Sequence, residues 1–286
     1  MNISDIRAAM EHNTATRAVG MALCKVGFVH LLHTIQANKK RKALNGGETE
    51  FAAFFDNHKM EFQKVYGMLG DDKSRETFKA IVRFRKNYDI KVLNKVISSP
   101  QYFLKDILPP SDNEIFIDGG AYIGDTSKDF LKLYNGDNYE KIYLWEPDTR
   151  NKAEIRKMLG RDAKYEVKPY AMWSERTELN FSDEGTGTSS VGESGVLVSA
   201  DSIDNQHQSE CVTFIKMDIE GAVIEALKGA EKTIKRCKPK LAICIYHEPD
   251  HLYRIPLMIK EIVPEYRIYI RHHSDTASET VCYAVV

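Results

Sequence analysis

Two acidic residues each follow an apolar segment, at positions where α/β proteins bind ligands. Asp118 follows the segment 115–117, and Glu146 follows the segment 142–145. If both segments are parallel strands, both carboxylates lie at the carboxyl edge of one sheet. A carboxylate after the second strand can accept hydrogen bonds from the ribose hydroxyls of an adenosine. The spacing therefore predicts an adenosine-containing ligand, with a solvated strand-end acid as the structural alternative for Glu146.

A glycine turn begins at the first of these acids. Its residues are Asp118-Gly119-Gly120-Ala121-Tyr122-Ile123-Gly124-Asp125-Thr126, and a predicted helix follows. Glycines let a ligand approach the backbone closely, and the next helix offers free amide donors. Such turns serve several cofactors, but acids at this edge repel a pyrophosphate and attract a cation. This favours S-adenosylmethionine over the dinucleotide of a NAD-dependent Rossmann oxidoreductase, which remains the alternative.

A second pair of acids ends a later apolar segment. Asp218 and Glu220 follow Phe214-Ile215-Lys216-Met217 and precede Gly221 and a predicted helix. At the ligand edge of a sheet they could hold the ammonium group of the cofactor, position an acceptor or take a proton. Capping of the helix is the structural alternative, because acids are common at helix starts.

The elements that would position these residues begin after Pro109-Pro110. Short apolar segments there alternate with charged helical ones, a pattern typical of a parallel sheet with right-handed crossovers. The predicted strands are 115–117, 142–145, 166–168, 212–216 and 241–245, and the predicted helices are 126–134, 150–159, 223–237 and 255–262. Two further strands, 266–271 and 279–285, predict an antiparallel hairpin at one edge. The fold class is α/β, with a doubly wound, mostly parallel sheet.

The first part of the chain, residues 1–105, shows helical spacing of its apolar residues. This N-terminal helical region is expected to shape an acceptor pocket or a dimer contact, with residues 106–286 as the cofactor-binding domain. Within it, residues 19–35 carry three basic or histidine residues and predict a packed helix rather than a membrane span. Residues 39–47 predict a basic break between helices, and the polar residues 183–198 predict a loop that could act as a lid.

The composition excludes several classes of protein. Lysine and arginine number 40 against 41 acids, so no overall field would collect nucleic acid or anionic lipid. The five cysteines are odd in number, far apart and never in a C-x-x-C pair, so neither a disulfide framework nor a zinc site is predicted. We therefore expect a cytoplasmic protein with a small-molecule or sugar partner and no nucleic acid or membrane partner. A homodimer is compatible with the sequence.

From about Val65 onward the chain resembles the FkbM family of S-adenosylmethionine-dependent methyltransferases. The resemblance rests on residues 116–126, Glu146-Pro147-Asp148, residues 215–222 and Ala226-Leu227-Lys228-Gly229-Ala230. It departs from the family at Val223, where another acid is common. Because members mostly methylate hydroxyls of sugars or natural products, the resemblance implies an O-methyltransferase.

The resemblance also implies roles for individual residues. The methionine half of the cofactor would lie against the glycine turn, its ribose against Glu146, its adenine beside residues 171–172, and the transferred methyl near Asp218. The implied cofactor-binding set is Tyr102, Phe103, Asp118, Gly119, Gly120, Ala121, Tyr122, Asp125, Thr126, Glu146, Pro147, Asp148, Ala171, Met172 and Asp218.

Methyl transfer to an alcohol also needs a group that removes the hydroxyl proton. His247 follows the fifth predicted strand, and an ordinary histidine pKa near 6.5 suits proton uptake. Asp218 and Glu220 are the other candidates, and a divalent metal that lowers the pKa of the alcohol is possible but not indicated. His247 and His251 match a zinc-protease pattern, but Pro249 interrupts the helix that this pattern needs, so no metal site is predicted. A catalytically inactive cofactor-binding module is the last alternative.

Overall fold

The computed structural model describes residues 28–134, 138–160, 164–183, 189–191 and 196–286. Its first elements are the helices α1 (Phe28–Ala43), α2 (Glu50–Asn57), α3 (Lys59–Met68), α4 (Asp72–Asn87) and α5 (Ile90–Leu93). The predicted break at residues 39–47 is wrong in its first half, because α1 continues through the basic residues to Ala43 and only then turns. Residues 19–27 of the predicted packed helix lie outside the described residues, and the remainder belongs to α1.

The rest of the chain alternates strands and helices. In chain order the elements are β1 (Glu114–Gly119), α6 (Asp125–Leu133), β2 (Tyr139–Trp145), α7 (Asn151–Leu159), β3 (Tyr165–Lys168), β4 (Ala171–Met172), β5 (Thr177–Asp183), β6 (Ser189–Val191), β7 (Val196–Asp201), α8 (Ile203–Gln206), β8 (Phe214–Met217), a 3-10 turn (Glu220–Ala222), α9 (Val223–Lys228), α10 (Glu231–Cys237), β9 (Lys240–Cys244), α11 (His251–Ile262), β10 (Arg267–His272) and β11 (Thr280–Val285).

Seven strands form the main sheet, in the order β10-β11-β9-β8-β1-β2-β3. The strands β3, β2, β1, β8 and β9 are parallel, and β11 pairs antiparallel with both β9 and β10. This confirms the predicted fold class, including the C-terminal hairpin. Because β1 lies between β2 and β8, the segments that follow these three strands meet at one edge of the sheet.

A second sheet has the strand order β4-β7-β5-β6 and was not predicted. The predicted loop 183–198 is partly wrong, because β5 ends at Asp183, β6 covers 189–191 and β7 begins at Val196. Residues 184–188 and 192–195 lie outside the described residues. Antiparallel pairing of β5 with β7 satisfies their backbone groups, and this long-range pairing overrides the polar composition of the segment.

The predicted helix 223–237 is two helices, because the chain turns at Gly229. A Cβ atom on Gly229 would lie 2.1 Å from the carbonyl oxygen of Trp173. The absence of a side chain therefore lets the segment after β4 lie against the break between α9 and α10.

The helical region and the main sheet share one hydrophobic core, in which Phe62, Ile81 and Leu93 belong to the same cluster as Ile268 and Ile270. The amide of Gly70 also donates to the carbonyl of Ile268 at 2.7 Å. Within the described ranges, no helix has both the length and the apolar character needed to cross a membrane.

Candidate active site

A cleft of about 2030 Å³ opens at the carboxyl edge of the main sheet. Its walls come from the glycine turn, the segments after β2 and β8, residues 99–106, and β4 and β7 of the small sheet. Pockets for single small ligands are roughly 300–1,000 Å³, so this cleft has room for two.

The glycine turn forms part of the cleft wall. Gly120 has a φ of +71°, and a Cβ atom there would lie 2.0 Å from the carbonyl oxygen of Asp218. Only glycine therefore fits between β1 and the segment after β8. The amides of Gly120 and Ala121 donate to the carbonyl of Trp145 at 3.1 and 3.2 Å, which fixes the turn against the end of β2.

Asp118 lies beneath this wall rather than in it. Its side chain is fully buried, accepts a hydrogen bond from Ser127 at 2.7 Å and forms a 3.0 Å ion pair with Lys216. Burial on its own would lower the pKa of Lys216, but the carboxylates of Asp118 and Asp218 raise it above its ordinary value. The predicted attraction of a cationic ligand by Asp118 is therefore not supported, because the charge of Asp118 is already paired.

Lys216 holds the turn as well as the acid. Its Nζ donates to the carbonyls of Gly119 and Gly120 at 3.0 and 3.1 Å. The amine thus ties β8 to the turn after β1. Sequence reasoning missed this role, although a lysine inside an apolar strand is a signal of a buried partner.

Glu146 lies on the cleft wall, where it is 8% exposed. Its carboxylate accepts hydrogen bonds from the amides of Tyr122 and Asp148, both at 2.8 Å. Burial raises the pKa of Glu146, and the two amide hydrogen bonds oppose that rise. The carboxylate is therefore held in one orientation, at the position where a ribose-binding acid was predicted.

The predicted cofactor-binding residues, taken as a set, fall into two groups according to whether they line the cleft. Those that line the cleft are Tyr102, Phe103, Gly120, Tyr122, Asp125, Thr126, Glu146, Pro147, Asp148, Ala171, Met172 and Asp218, and those outside the lining are Asp118, Gly119 and Ala121. Most of the ring of Phe103 is buried among Phe116, Phe130 and Phe214, so Phe103 also serves the core.

Asp218 is the centre of a hydrogen-bond network at one end of the cleft. Its carboxylate accepts from the hydroxyls of Tyr102 and Tyr246 at 2.9 and 3.0 Å, and Nε2 of His247 lies 3.1 Å away. Burial on its own would raise the pKa of Asp218, but the hydrogen bond from His247 and the charge of Lys216 hold it below its ordinary range. Asp218 is therefore a poor proton acceptor at neutral pH. Tyr246 was not among the predicted site residues.

His247 lies between two carboxylates. Nε2 faces Asp218, and Nδ1 lies 3.0 Å from the carboxylate of Glu220. Burial on its own would lower the pKa of His247, but these two hydrogen bonds raise it to about 9. The ring is thus an imidazolium that donates from both nitrogens at neutral pH. It is also outside the cleft lining, so its position differs from that expected of the proton acceptor.

Four residues of the cleft other than glycine have left-handed backbone angles, namely Tyr102 (φ 62°), Tyr122 (φ 47°), Glu220 (φ 57°) and Glu279 (φ 64°). Such conformations cost about 1–3 kcal/mol each and are common where side chains are held for function.

In the described part of the chain, no three His, Cys, Asp or Glu side chains are grouped so that they could hold a metal ion.

Comparison with known proteins identifies the family and supports the fold. The family model described as the methyltransferase FkbM domain matches residues 118–274. A crystal structure of methyltransferase FkbM from Methylobacillus flagellatus KT is 27% identical with a TM-score of 0.72. The alignment covers 82% of this chain and 61% of that one, so the present chain spans about three fifths of the length of that relative.

Two other solved structures are more distant. A fibrillarin/Nop5p complex is 13% identical with a TM-score of 0.38, and the match covers 62% of this chain and 74% of that one. A precorrin-6y C5,15-methyltransferase from Geobacter metallireducens GS-15 is 10% identical with a TM-score of 0.39, and the match covers 68% of this chain and 96% of that one. Neither likeness bears on function at such scores. No curated protein matches the chain.

The family match spans more than half of the sequence and contains the cleft residues from the glycine turn to Tyr246. On this basis the chain belongs to the FkbM methyltransferase family.

Proposed function

We propose that this protein transfers a methyl group from S-adenosylmethionine to a hydroxyl group of a sugar or another small molecule. The observation that carries the choice of cofactor is the charge of the cleft. Its described lining contains eight acids (Asp106, Asp125, Asp129, Glu146, Asp148, Asp218, Glu220 and Glu279) and three bases (Lys105, Arg150 and Lys216). Lys216 is paired with Asp118, Arg150 with Asp148, and both Asp218 and Glu220 with His247. With these pairs set aside, the acids of the described lining still outnumber its bases. Such a lining favours a sulfonium and an ammonium over a pyrophosphate.

The residues present fit this cofactor. Gly120 leaves the backbone of the turn open to a ligand, and Glu146 offers an oriented carboxylate to ribose hydroxyls. Tyr102 and Asp218 would lie at the methionine end. When bound, the cofactor supplies an electrophilic methyl group. The chain contributes by aligning the acceptor hydroxyl with that group, which is how enzymes accelerate such displacements.

We infer that Glu220 removes the proton of the acceptor hydroxyl. His247 is already protonated at neutral pH, and Asp218 is held in its ionised form by its donors. Glu220 lines the cleft with a side chain that is one third exposed. Within the described ranges, its carboxylate contacts the imidazolium of His247. His247 then acts as a positioning residue that keeps both carboxylates in place.

Binding measurements test the cofactor. In calorimetric titrations we expect S-adenosylmethionine and S-adenosylhomocysteine to bind and NAD to leave no signal. Glu146→Gln should weaken adenosyl binding roughly 10- to 100-fold, because a hydrogen bond to a charged group contributes about 1.5–3 kcal/mol. Glu140→Gln is the matched control and should bind normally, because Glu140 is an exposed acid on β2, the strand that precedes Glu146. Binding of NAD, or equal binding by Glu146→Gln, would contradict the proposal.

Turnover tests the reaction and separates it from an inactive cofactor-binding module. A panel of sugars and small alcohols is screened for formation of S-adenosylhomocysteine and for methyl ether in the product. With an active acceptor, Glu220→Gln should lower the rate by about 10²–10⁴-fold and leave S-adenosylhomocysteine affinity unchanged. Methylation at nitrogen or carbon would contradict the assignment of a hydroxyl acceptor.

A further inference from the structure

Cys211 and Cys237 are distant in sequence and adjacent in the fold. Cys211 precedes β8 and is exposed, whereas Cys237 ends α10 and is half-buried. The neighbouring thiol of Cys237 raises the pKa of the Cys211 thiol. The thiol of Cys237 also lies 3.8 Å from the carbonyl oxygen of Glu210, the residue next to Cys211.

Arg236 holds the two segments together. Its guanidinium donates to the carbonyls of His207, Gln208 and Glu210 at 2.8, 2.8 and 2.9 Å. These bonds fasten the end of α10 to the segment that leads to Cys211. That segment is irregular, so its backbone can shift without the loss of a strand or helix.

We propose that Cys211 and Cys237 are a modification site at which a reversible disulfide forms within the chain. Bond formation brings the sulfurs to roughly 2.05 Å. The contact of the Cys237 thiol with the carbonyl oxygen of Glu210 already places that sulfur beside the backbone of Cys211. With oxidised glutathione, one cysteine thiolate attacks a glutathione sulfur and releases one glutathione thiolate. The second cysteine thiolate then displaces the other glutathione, so two glutathione thiols leave with the two protons.

The other described cysteines cannot compete, because Cys244 and Cys282 are fully buried. The disulfide would close a ring that contains β8 and the Asp218–Gly221 motif. Neither Cys211 nor Cys237 lines the cleft, and Cys211 lies at the amino end of β8, opposite to Asp218. The proposal therefore stands independently of the proposed function.

The test uses the full chain, incubated with oxidised glutathione at mildly alkaline pH and then alkylated. The alkaline solution helps because the neighbouring Cys237 thiol raises the pKa of the Cys211 thiol, and the thiolate is the nucleophile. Peptide mapping by mass spectrometry without reductant should show a peptide linked through Cys211 and Cys237, lost on reduction. The oxidised protein should melt roughly 5–10 °C higher than the reduced protein.

Cys211→Ser and Cys237→Ser are the matched controls. Each should retain its fold, show no linked peptide and carry glutathione on the remaining thiol. The proposal is overturned if the wild-type chain yields only glutathione adducts, no modification at these positions, or a link to a different cysteine. Affinity for S-adenosylhomocysteine should be the same in both redox states, so a failure of cofactor binding is recognised separately.

Discussion

At the scale of residues, the site is a chain of alternating charges rather than a set of independent side chains. Asp118, Lys216, Asp218, His247 and Glu220 alternate in sign, with contacts of 3.0–3.1 Å at Asp118–Lys216, Asp218–His247 and His247–Glu220. Each buried charge is offset by its neighbours, which lowers the cost of removing it from water. The roles of these groups therefore depend on their partners more than on their residue type.

The raised pKa of His247 predicts a pH dependence of stability. Because its pKa is about 9 in the folded chain and about 6.5 when unfolded, the contribution is fully present below about pH 6.5 and is lost as the pH rises through 9. Its size is on the order of 3 kcal/mol. His247→Gln should therefore cost more stability at about pH 6 than at about pH 10, as measured by urea unfolding.

The matched control is Tyr246→Phe, which removes another hydrogen bond to Asp218 without removing a charge. Its cost should change little over the same pH range. If the imidazole resonance assigned to His247, as the one lost in His247→Gln, titrates near pH 6.5 in the folded protein, His247 is not held between the two carboxylates.

At the scale of elements, close approaches of the backbone decide where helices end. The turn between α9 and α10 exists because Gly229 lies against Trp173 and Ser202, and its carbonyl accepts from the amide of Asp204 at 2.8 Å. This contact fixes α8 and the segment after β4 on the helix pair that follows the Asp218 motif. The small sheet is thereby anchored beside the cleft.

Gly229→Ala should destabilise the protein, since its Cβ would lie 2.1 Å from the Trp173 carbonyl oxygen and 2.9 Å from the Cβ of Ser202. We expect a loss of roughly 1–3 kcal/mol in urea unfolding, as for other overpacked sites. Gly67→Ala is the matched control, because Gly67 is an exposed residue of α3 with open space around it. That change should instead stabilise by about 0.5–1 kcal/mol. Equal effects of the two changes would rule out the close approach.

At the scale of the whole molecule, an ion pair between a buried arginine and a partly exposed aspartate joins the helical region to the edge of the main sheet. Arg271 of β10 is 2% exposed and contacts Asp71 at 2.6 Å. Asp71 also accepts a hydrogen bond from the amide of Ser74, which caps α4. One carboxylate thus begins a helix and neutralises a buried charge of the sheet.

Asp71→Asn should cost roughly 1–3 kcal/mol, because it leaves the buried Arg271 guanidinium without a counter-ion while solvent at the partly exposed Asp71 side reduces the loss. Asp72→Asn is the matched control; Asp72 is 92% exposed and pairs only locally with Arg75, so its loss should cost less than about 0.5 kcal/mol. In the wild type, tryptophan fluorescence and far-ultraviolet circular dichroism should report one coincident transition. Separate transitions would indicate that the helical region and the sheet unfold independently.

The sequence alone was sufficient for the order of the main strands and helices along the chain and for the positions of the motifs between them. These features depend on periodicity and turn residues within short segments, where residues such as Gly120 and Pro109 act locally. It also predicted that Glu146 and Asp218 lie at the same edge of the sheet, because parallel strands place all their carboxyl ends there. Whether the predicted residues bind a cofactor stays a prediction.

The tertiary structure alone decided which groups are paired. The pairing of Asp118 with Lys216 and of His247 with two carboxylates joins residues from different elements, as does the approach of Cys237 to the segment before Cys211. A local pattern can signal that a buried charge has a partner, but not which residue that partner is. The small sheet and the break at Gly229 have the same origin, since backbone pairing and close packing between distant segments override local propensity. These contacts set the protonation states of the buried charged side chains. They therefore determine the chemistry that the motif residues can perform.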